Sequence, residues 1–433
     1  MPQAPLQSAA FTLDTSGVAG FFGGDEAVSA MATVHIFEGR KWLGWYNSPG
    51  SYTIAKKFGQ LAQSRFWDGL FPGVAVDPNT LFEFEVEKGP EFTGSHSGTK
   101  LKETGQVAYL LMKECESVKT IEVKGRETRP VYVTIVQLHH VPPKEMNPQQ
   151  QRRWTSALAA IPILSSVGGC VACGIFEDWY CFAMILLGII SSGLSCLAIG
   201  AGVLKFKHPE AAVNSPLGDG FLNGGNEIVV LLGKEGAVNS ITRGQFSLQY
   251  SNEPAYHTIG LASMLLTVQF LLQLLLVPQG TLFGQILFLG TLAVSWWYSC
   301  YLSSLERERI QAELLVQDVM KLKKSEAFKR YRLQTRTAMV VFLLLVLKPL
   351  DRRALLDELL PNNTNTWNIW KSKVLSKIDN KEELKFQTSD REGVTQAEDG
   401  LLKDLFWDAE AAYAGYCTYL KVDDPDTNIE KIV

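Results

Sequence analysis

Four stretches, 156–175, 180–204, 258–277 and 281–302, each hold about twenty or more residues with no Asp, Glu, Lys, Arg or His. At about 1.5 Å rise per residue, a helix of that length covers a hydrocarbon core of about 30 Å. Lipid offers no partner to a bare N–H or C=O, so such a stretch must be helical if it crosses. The expected fold class is therefore membrane α-helical. Four transmembrane helices form two hairpins, 156–204 and 258–302, accompanied by a cytosolic α+β domain and a helical C-terminal region.

Charge bias sets the expected orientation. Lys144, Arg152 and Arg153 precede the first run. Lys205 and Lys207 follow the second, and Arg307 and Arg309 follow the fourth. The two short turns carry only Glu177 and Asp178 between them. The positive-inside rule then puts both turns outside and both termini in the cytosol. Trp154, Trp179, Tyr180, Trp296, Trp297, Tyr298 and Tyr301 fall where aromatic anchors are expected. A fifth apolar run, 338–347, is too short to span and reads as a core or interfacial helix. The sequon at Asn362 is inert if the tail lies inside. Residues 1–14 have neither a charged n-region nor an apolar h-region, so no secretory signal is expected there.

Within the runs, small residues recur every fourth position: Ser165, Gly169 and Cys173 on the first, and Gly188, Ser192, Cys196 and Gly200 on the second. Such faces let helix backbones approach closely in lipid, and they are expected to pack the first hairpin. Cys170 and Cys173 form a CxxC pair inside an apolar run. That setting disfavours thiolates, so packing is expected and no metal or cofactor is assigned. All seven cysteines are expected to be reduced. Gln269 and Gln273, one turn apart, and Gln285 on the fourth run are a candidate polar path, or else interhelical glue.

Outside the runs, 1–155 reads as an α+β domain. Strand-like stretches are 32–37, 80–87, 107–113 and 130–138, with a helix over 52–66. In 205–257, strands at 227–232 and 245–250 are expected to complete that domain. The glycines around 218–236 resemble a phosphate loop, but Glu235 follows Lys234 where a hydroxyl is required, so turns are expected. Residues 303–422 read as helical, beginning with a long extension of the fourth run, and 423–433 as a disordered tail.

Residues 303–353 hold 12 basic and 6 acidic groups, which would suit anionic lipid or simply enforce topology. Trp367, Trp370, Val374 and Ile378, with Lys371, Lys373 and Lys377, make an amphipathic pattern that suits a membrane interface or a core-facing helix. A net charge of −4 gives no basic field for nucleic acid. His139–His140 is the single histidine pair among six, and adjacent residues of an extended chain point apart.

The strings "IVVLLGKEGAVNSITRGQFSLQY", "SMLLTVQF", "PQGTLFGQ", "LAVSWWYS", "TRTAMVVFLLLVL" and "LLPNNTNTWNIWK" resemble a family of uncharacterised fungal multi-pass membrane proteins. The resemblance runs from about residue 21 to 416. It implies the same four-span layout and carries no known activity or catalytic residues.

Three functions compete. The first is a non-enzymatic membrane platform presenting a cytosolic domain to a protein or lipid partner. The second is an oligomeric channel or small-solute transporter using Gln269, Gln273 and Gln285. The third is a membrane-anchored enzyme with His139 or His140 near Glu83 or Glu85.

Overall fold

A computed structural model describes residues 22–423 apart from 74, 75, 83, 85, 86, 150–156, 251, 252, 394 and 397, together with 5, 6 and 13. The expected tail at 423–433 and the carboxylates Glu83 and Glu85 thus lie largely outside the described residues. The chain divides into two compact units. One comprises Met1–Val86, Met146–Phe206 and Phe246–Leu314; the other comprises Glu87–Glu145, Lys207–Gln245 and Leu315–Val433. The described residues of 22–84 are thus grouped with the apolar helices and not with the rest of the segment 1–155.

The first unit holds four apolar helices: Ala160–Ile175, Trp179–Ile199, Glu253–Leu276 (with a 3-10 turn Val277–Gln279) and Leu282–Ser303. Among the described residues, three helical stretches are long and apolar enough to cross a membrane: Trp179–Ile199, Tyr256–Gln279 and Leu282–Ser303. The first apolar helix has 16 residues, about 24 Å at 1.5 Å per residue, and is shorter than expected. Leu164, Val171, Leu271 and Leu275 point outward from the bundle and are well exposed.

Two further helices of this unit, Gly24–Ala32 and Ser51–Gly59, pack on the fourth and third apolar helices respectively. The expected strand 32–37 is instead a helix end followed by a 3-10 turn, Thr33–His35. Between the two helices, residues 44 and 46–50 are buried without regular helix. The expected helix over 52–66 breaks after Gly59 and resumes at Arg65–Leu70, capped by the Ser64 hydroxyl. The described part of 80–87 begins as a short helix, Pro78–Leu81.

Among the described residues, ten strands form two sheets. In chain order they are β1 (Glu91–Gly94), β2 (Lys100–Leu101), β3 (Thr120–Glu122), β4 (Val131–Leu138), β5 (Glu145–Met146), β6 (Val203–Lys207), β7 (Gly220–Asn223), β8 (Glu227–Gly233), β9 (Gln245–Gln249) and β10 (Phe328–Leu333). The second unit is built on a mixed seven-stranded sheet of order β2-β1-β7-β8-β4-β10-β3. β4 pairs parallel to β8, and β10 parallel to β3. β5, β6 and β9 form a small separate sheet.

Of the two strands expected in the middle segment, 227–232 joins the large sheet as β8, beside β7, whereas 245–250 is β9 of the small sheet. The last segment was expected to be helical; it also supplies β10. The expectation of turns holds for only some of the glycines: Gly225 takes φ 86° where β7 turns into β8, but Gly220 and Gly233 lie within β7 and β8, and Gly236 within the helix Glu235–Thr242. Residues 107–113, expected as a strand, belong to the helix Gln106–Glu116, which buries Val107, Ala108, Leu110, Leu111 and Cys115. That spacing is helical, and a short apolar run hides it.

The helix Arg336–Leu347 is apolar all round because it is enclosed. It packs on β4, β8 and β10 and on the helix Asp399–Asp423. Val131, Val133, Ile135, Ile228 and Val230 meet it from the sheet. Alternate residues Thr134, Val136, Val229 and Leu231 point the other way and are buried too. The helices Gln106–Glu116 and Glu235–Thr242 pack against β8 and against each other. A sheet covered on both faces explains why VYVTIVQL and EIVVLL read as continuous apolar runs. The expected long extension of the fourth apolar helix is absent: that helix ends at Ser303, and a new one runs Arg307–Leu314.

Candidate functional site

The most organised polar chemistry lies inside the apolar bundle, on Asn47. This residue follows Gly44 in the non-helical stretch, and its side chain is fully buried. Its backbone N–H donates to Ser166 Oγ of the first apolar helix at 3.0 Å. Its Nδ2 donates to Thr291 Oγ1 of the fourth at 3.1 Å. Thr291 in turn donates to the Phe288 carbonyl at 2.7 Å. Gln273 of the third helix donates from Nε2 to Asn47 Oδ1 at 3.4 Å and to the Met184 carbonyl of the second at 3.3 Å. Gln269 Nε2 donates to Gln273 Oε1 at 3.3 Å. One residue thereby joins a hydrogen-bonded set drawn from all four apolar helices. Ser166 and Thr291 lie near the middles of their helices, where apolar surroundings make an unpaired amide costly.

The second helix is shaped to receive this segment. A Cβ on Gly188 would overlap Asn47 Oδ1. A Cβ on Gly193 would strike the Trp45 ring. One on Gly200 would lie 2.6 Å from Lys41 Cβ and Val34 Cγ1. Gly44 in turn lies against Cys196. The stripe Gly188, Ser192, Cys196 and Gly200 was expected to pack the first hairpin; it receives residues 34–47 instead. On the first helix, Gly169 sits against Thr291, where an added Cβ would meet Cγ2 at 2.8 Å. Ser165 is half-buried and Cys173 fully buried.

The expected row of three glutamines is split. Gln269 and Gln273 belong to the Asn47 set, whereas Gln285 donates to the Pro278 and Gly280 carbonyls at 3.3 and 3.0 Å in the second turn. Beside it, Asp178 caps the second helix through Cys181 N at 3.1 Å. It also accepts from Thr281 N at 2.8 Å and Thr281 Oγ1 at 2.6 Å. The two turns are clamped together by a carboxylate that sequence reading treated only as a topology marker.

Arg40 is another buried group that the sequence did not single out. Its guanidinium lies 5.1 Å from the Tyr298 ring centre and donates to Tyr46 Oη at 3.4 Å and to the Leu43 carbonyl at 3.5 Å. Arginine suits this position, since its flat, weakly hydrated head stacks on aromatic faces. The Trp67 indole donates to His257 Nδ1 at 3.3 Å. These contacts hold chain together; none sets a nucleophile beside a base.

In the second unit, the amphipathic helix Asn365–Asp379 is a core element, the core-facing alternative of the two expected and not the membrane-interface one. Trp370 and Val374 are fully buried, with Trp367 and Ile378 packed against the same core. Lys371 Nζ bonds Asp357 at 2.8 Å. Lys377 Nζ bonds Asp390 at 2.8 Å and sits over the Phe406 ring. Lys373 donates to the Ser389 carbonyl at 3.4 Å. Arg330, above the Tyr132 ring, pairs with Glu227, whose pKa burial nevertheless pushes up. No group of three or more His, Cys, Asp or Glu placed to hold a metal occurs among the described residues. The Cys170 thiol faces the Phe182 carbonyl at 3.8 Å.

Comparison with known proteins adds no relative: no family model, curated protein or solved structure matches this chain.

Proposed function

We propose that this chain is a multi-pass membrane platform. Its four apolar helices cross the bilayer as two hairpins, and its α+β unit is presented in the cytosol to a protein or lipid partner. Both termini lie on the cytosolic side, where Lys and Arg flank the helix ends. The outward belt of Leu164, Val171, Leu271 and Leu275 supports lipid as the bundle's surroundings. Residues 43–50 then form a re-entrant segment, tolerable at depth because protein surrounds it.

The observation that carries the platform reading is the Asn47 set. Polar groups at depth that bond to one another and to backbone carbonyls act as fasteners between segments. The alternative, an oligomeric channel lined by Gln269, Gln273 and Gln285, is weaker. Each of these amides already donates within the chain, and Gln285 sits apart at the start of the fourth helix, bonded to the turn before it. Solute flux and co-purification separate the two. Purification from native membranes into nanodiscs is expected to yield a stoichiometric companion, and reconstituted vesicles to leak no faster than empty ones. A solitary chain whose flux falls on changing Gln269 and Gln273 to leucine would overturn the reading.

A further inference from the structure

The second unit contains a cavity of about 270 Å³ bounded by the Arg336–Leu347, Asn365–Asp379 and Asp399–Asp423 helices. Its wall is apolar, with Leu344 and Leu384 almost fully buried and Ile378, Tyr416 and Leu420 partly so. Cys417 completes the wall as a neutral thiol, since burial pushes its pKa up. Its rim carries Lys348, Arg352 and Lys381 against one carboxylate, Glu382. Glu382 accepts from Asn380 Nδ2 at 3.2 Å, and Arg352 is paired with Asp379. Neither Lys348 nor Lys381 has an ion-pair partner among the described residues.

Backbone geometry marks the same two lysines. Lys348 ends one helix at φ 46° and Lys381 follows the other at φ 56°, both left-handed. At Lys381 the N–H bonds the Ile378 carbonyl at 3.2 Å, and the Glu382 N–H bonds the Lys377 carbonyl at 2.8 Å. That pairing is the Schellman helix end, whose left-handed position glycine fills best. Lysine near a helix C-terminus does favour the dipole. A cation on the preceding turn would give that benefit without the strained backbone, however. Two strained lysines facing one apolar cavity suggest that the side chains are used there.

We propose that this cavity binds a single-chain amphiphile with an anionic head, the chain against Leu344, Leu384 and Leu420 and the head held by Lys348 and Lys381. The complementarity is twofold: apolar depth for the chain, and two unpaired cations at the mouth for a carboxylate or phosphate.

The test uses the full chain in phosphatidylcholine nanodiscs, with radiolabelled dodecanoate, dodecyl phosphate and dodecanol, and empty discs subtracted. Saturable one-site binding is expected for an anionic ligand, at least tenfold tighter than for dodecanol. Tighter binding of dodecanoate would assign a fatty acid, and of the phosphate a lysophospholipid-like ligand. The double variant Lys348→Gly/Lys381→Gly should lose at least tenfold in affinity while its unfolding midpoint stays level or rises, because glycine suits both backbones. Three results would overturn the proposal: no saturable binding above empty discs, equal affinity for dodecanol, or a double variant that binds like the parent. A lowered midpoint in the double variant would do so too, by showing that the lysines serve only the helix ends.

Discussion

Asn47 rests directly on the backbone of Gly188, so closely that a single methyl at the glycine would overlap the amide oxygen. The contact couples a buried polar side chain of the N-terminal segment to the midpoint of an apolar helix. Hydrogen bonds between helices in lipid average below 1 kcal/mol and reach about 1.7 kcal/mol. Asn47→Ala removes two side-chain bonds and leaves Gln273 and Thr291 short of a partner, so a loss of about 1–2 kcal/mol is expected. Gly188→Val should cost more, since it displaces the segment outright. Thermal unfolding in detergent micelles reads both, and a Gly188→Val variant as stable as the parent would refute the packing described.

Asp178 fastens the two turns through Thr281. Hydrogen bonds to a charged group contribute about 1.5–3 kcal/mol each, less where exchange with water intervenes. Asp178→Ala is expected to lower the unfolding midpoint in micelles distinctly more than Glu177→Ala, because Glu177 is exposed in the same turn. Equal effects of the two changes would mean that the clamp does not form.

In the second unit, Lys377 and Asp390 are both buried, at 6% and 3% side-chain exposure. Removing one partner of such a pair strands a charge and costs about 3–5 kcal/mol. Asp390→Asn should therefore destabilise this unit strongly, and adding Lys377→Met should recover most of the loss. Urea unfolding followed by near-ultraviolet circular dichroism tests both, and a double variant no better than the single would count against the pairing.

Asp357 titrates below its ordinary range because Lys371, and then Arg353, hydrogen-bond its carboxylate. A depressed carboxylate pKa stabilises the fold above the unfolded value, about 3.9, and that contribution disappears as pH falls through the folded value. The parent should lose stability between about pH 4 and lower pH more steeply than Asp357→Asn. Superimposable acid limbs in the two proteins would contradict this.

Much of the apolar bundle was legible because charge is excluded from 180–204, 258–277 and 281–302 along continuous sequence. β4 and β8 were legible as short runs rich in β-branched residues. The place of residues 24–59 was not. Nothing local in KWLGWYNSPG marks it for burial in a helix bundle; its fit depends on Gly188, Gly193 and Gly200 more than a hundred residues away. β10 was missed because Arg330 and Arg332 interrupt its apolar alternation; Glu227 on β8 accepts the first, and Glu122 on β3 together with Glu127 the second. The candidate site followed the same division. Gln269 and Gln273 stood out as amides in an apolar run, whereas their partner Asn47 looked like an ordinary loop residue.

The arrangement turns on the N-terminal segment entering the bundle from the face opposite the two short turns. Trp42 and Glu177 are both exposed and are suited to single-cysteine replacement in a chain otherwise free of cysteine. In sealed, oriented vesicles, a membrane-impermeant maleimide should label Glu177→Cys from the outside only, and Trp42→Cys only after the membrane is opened. Labelling of both positions from one side of an intact vesicle would contradict the topology and the re-entrant segment together.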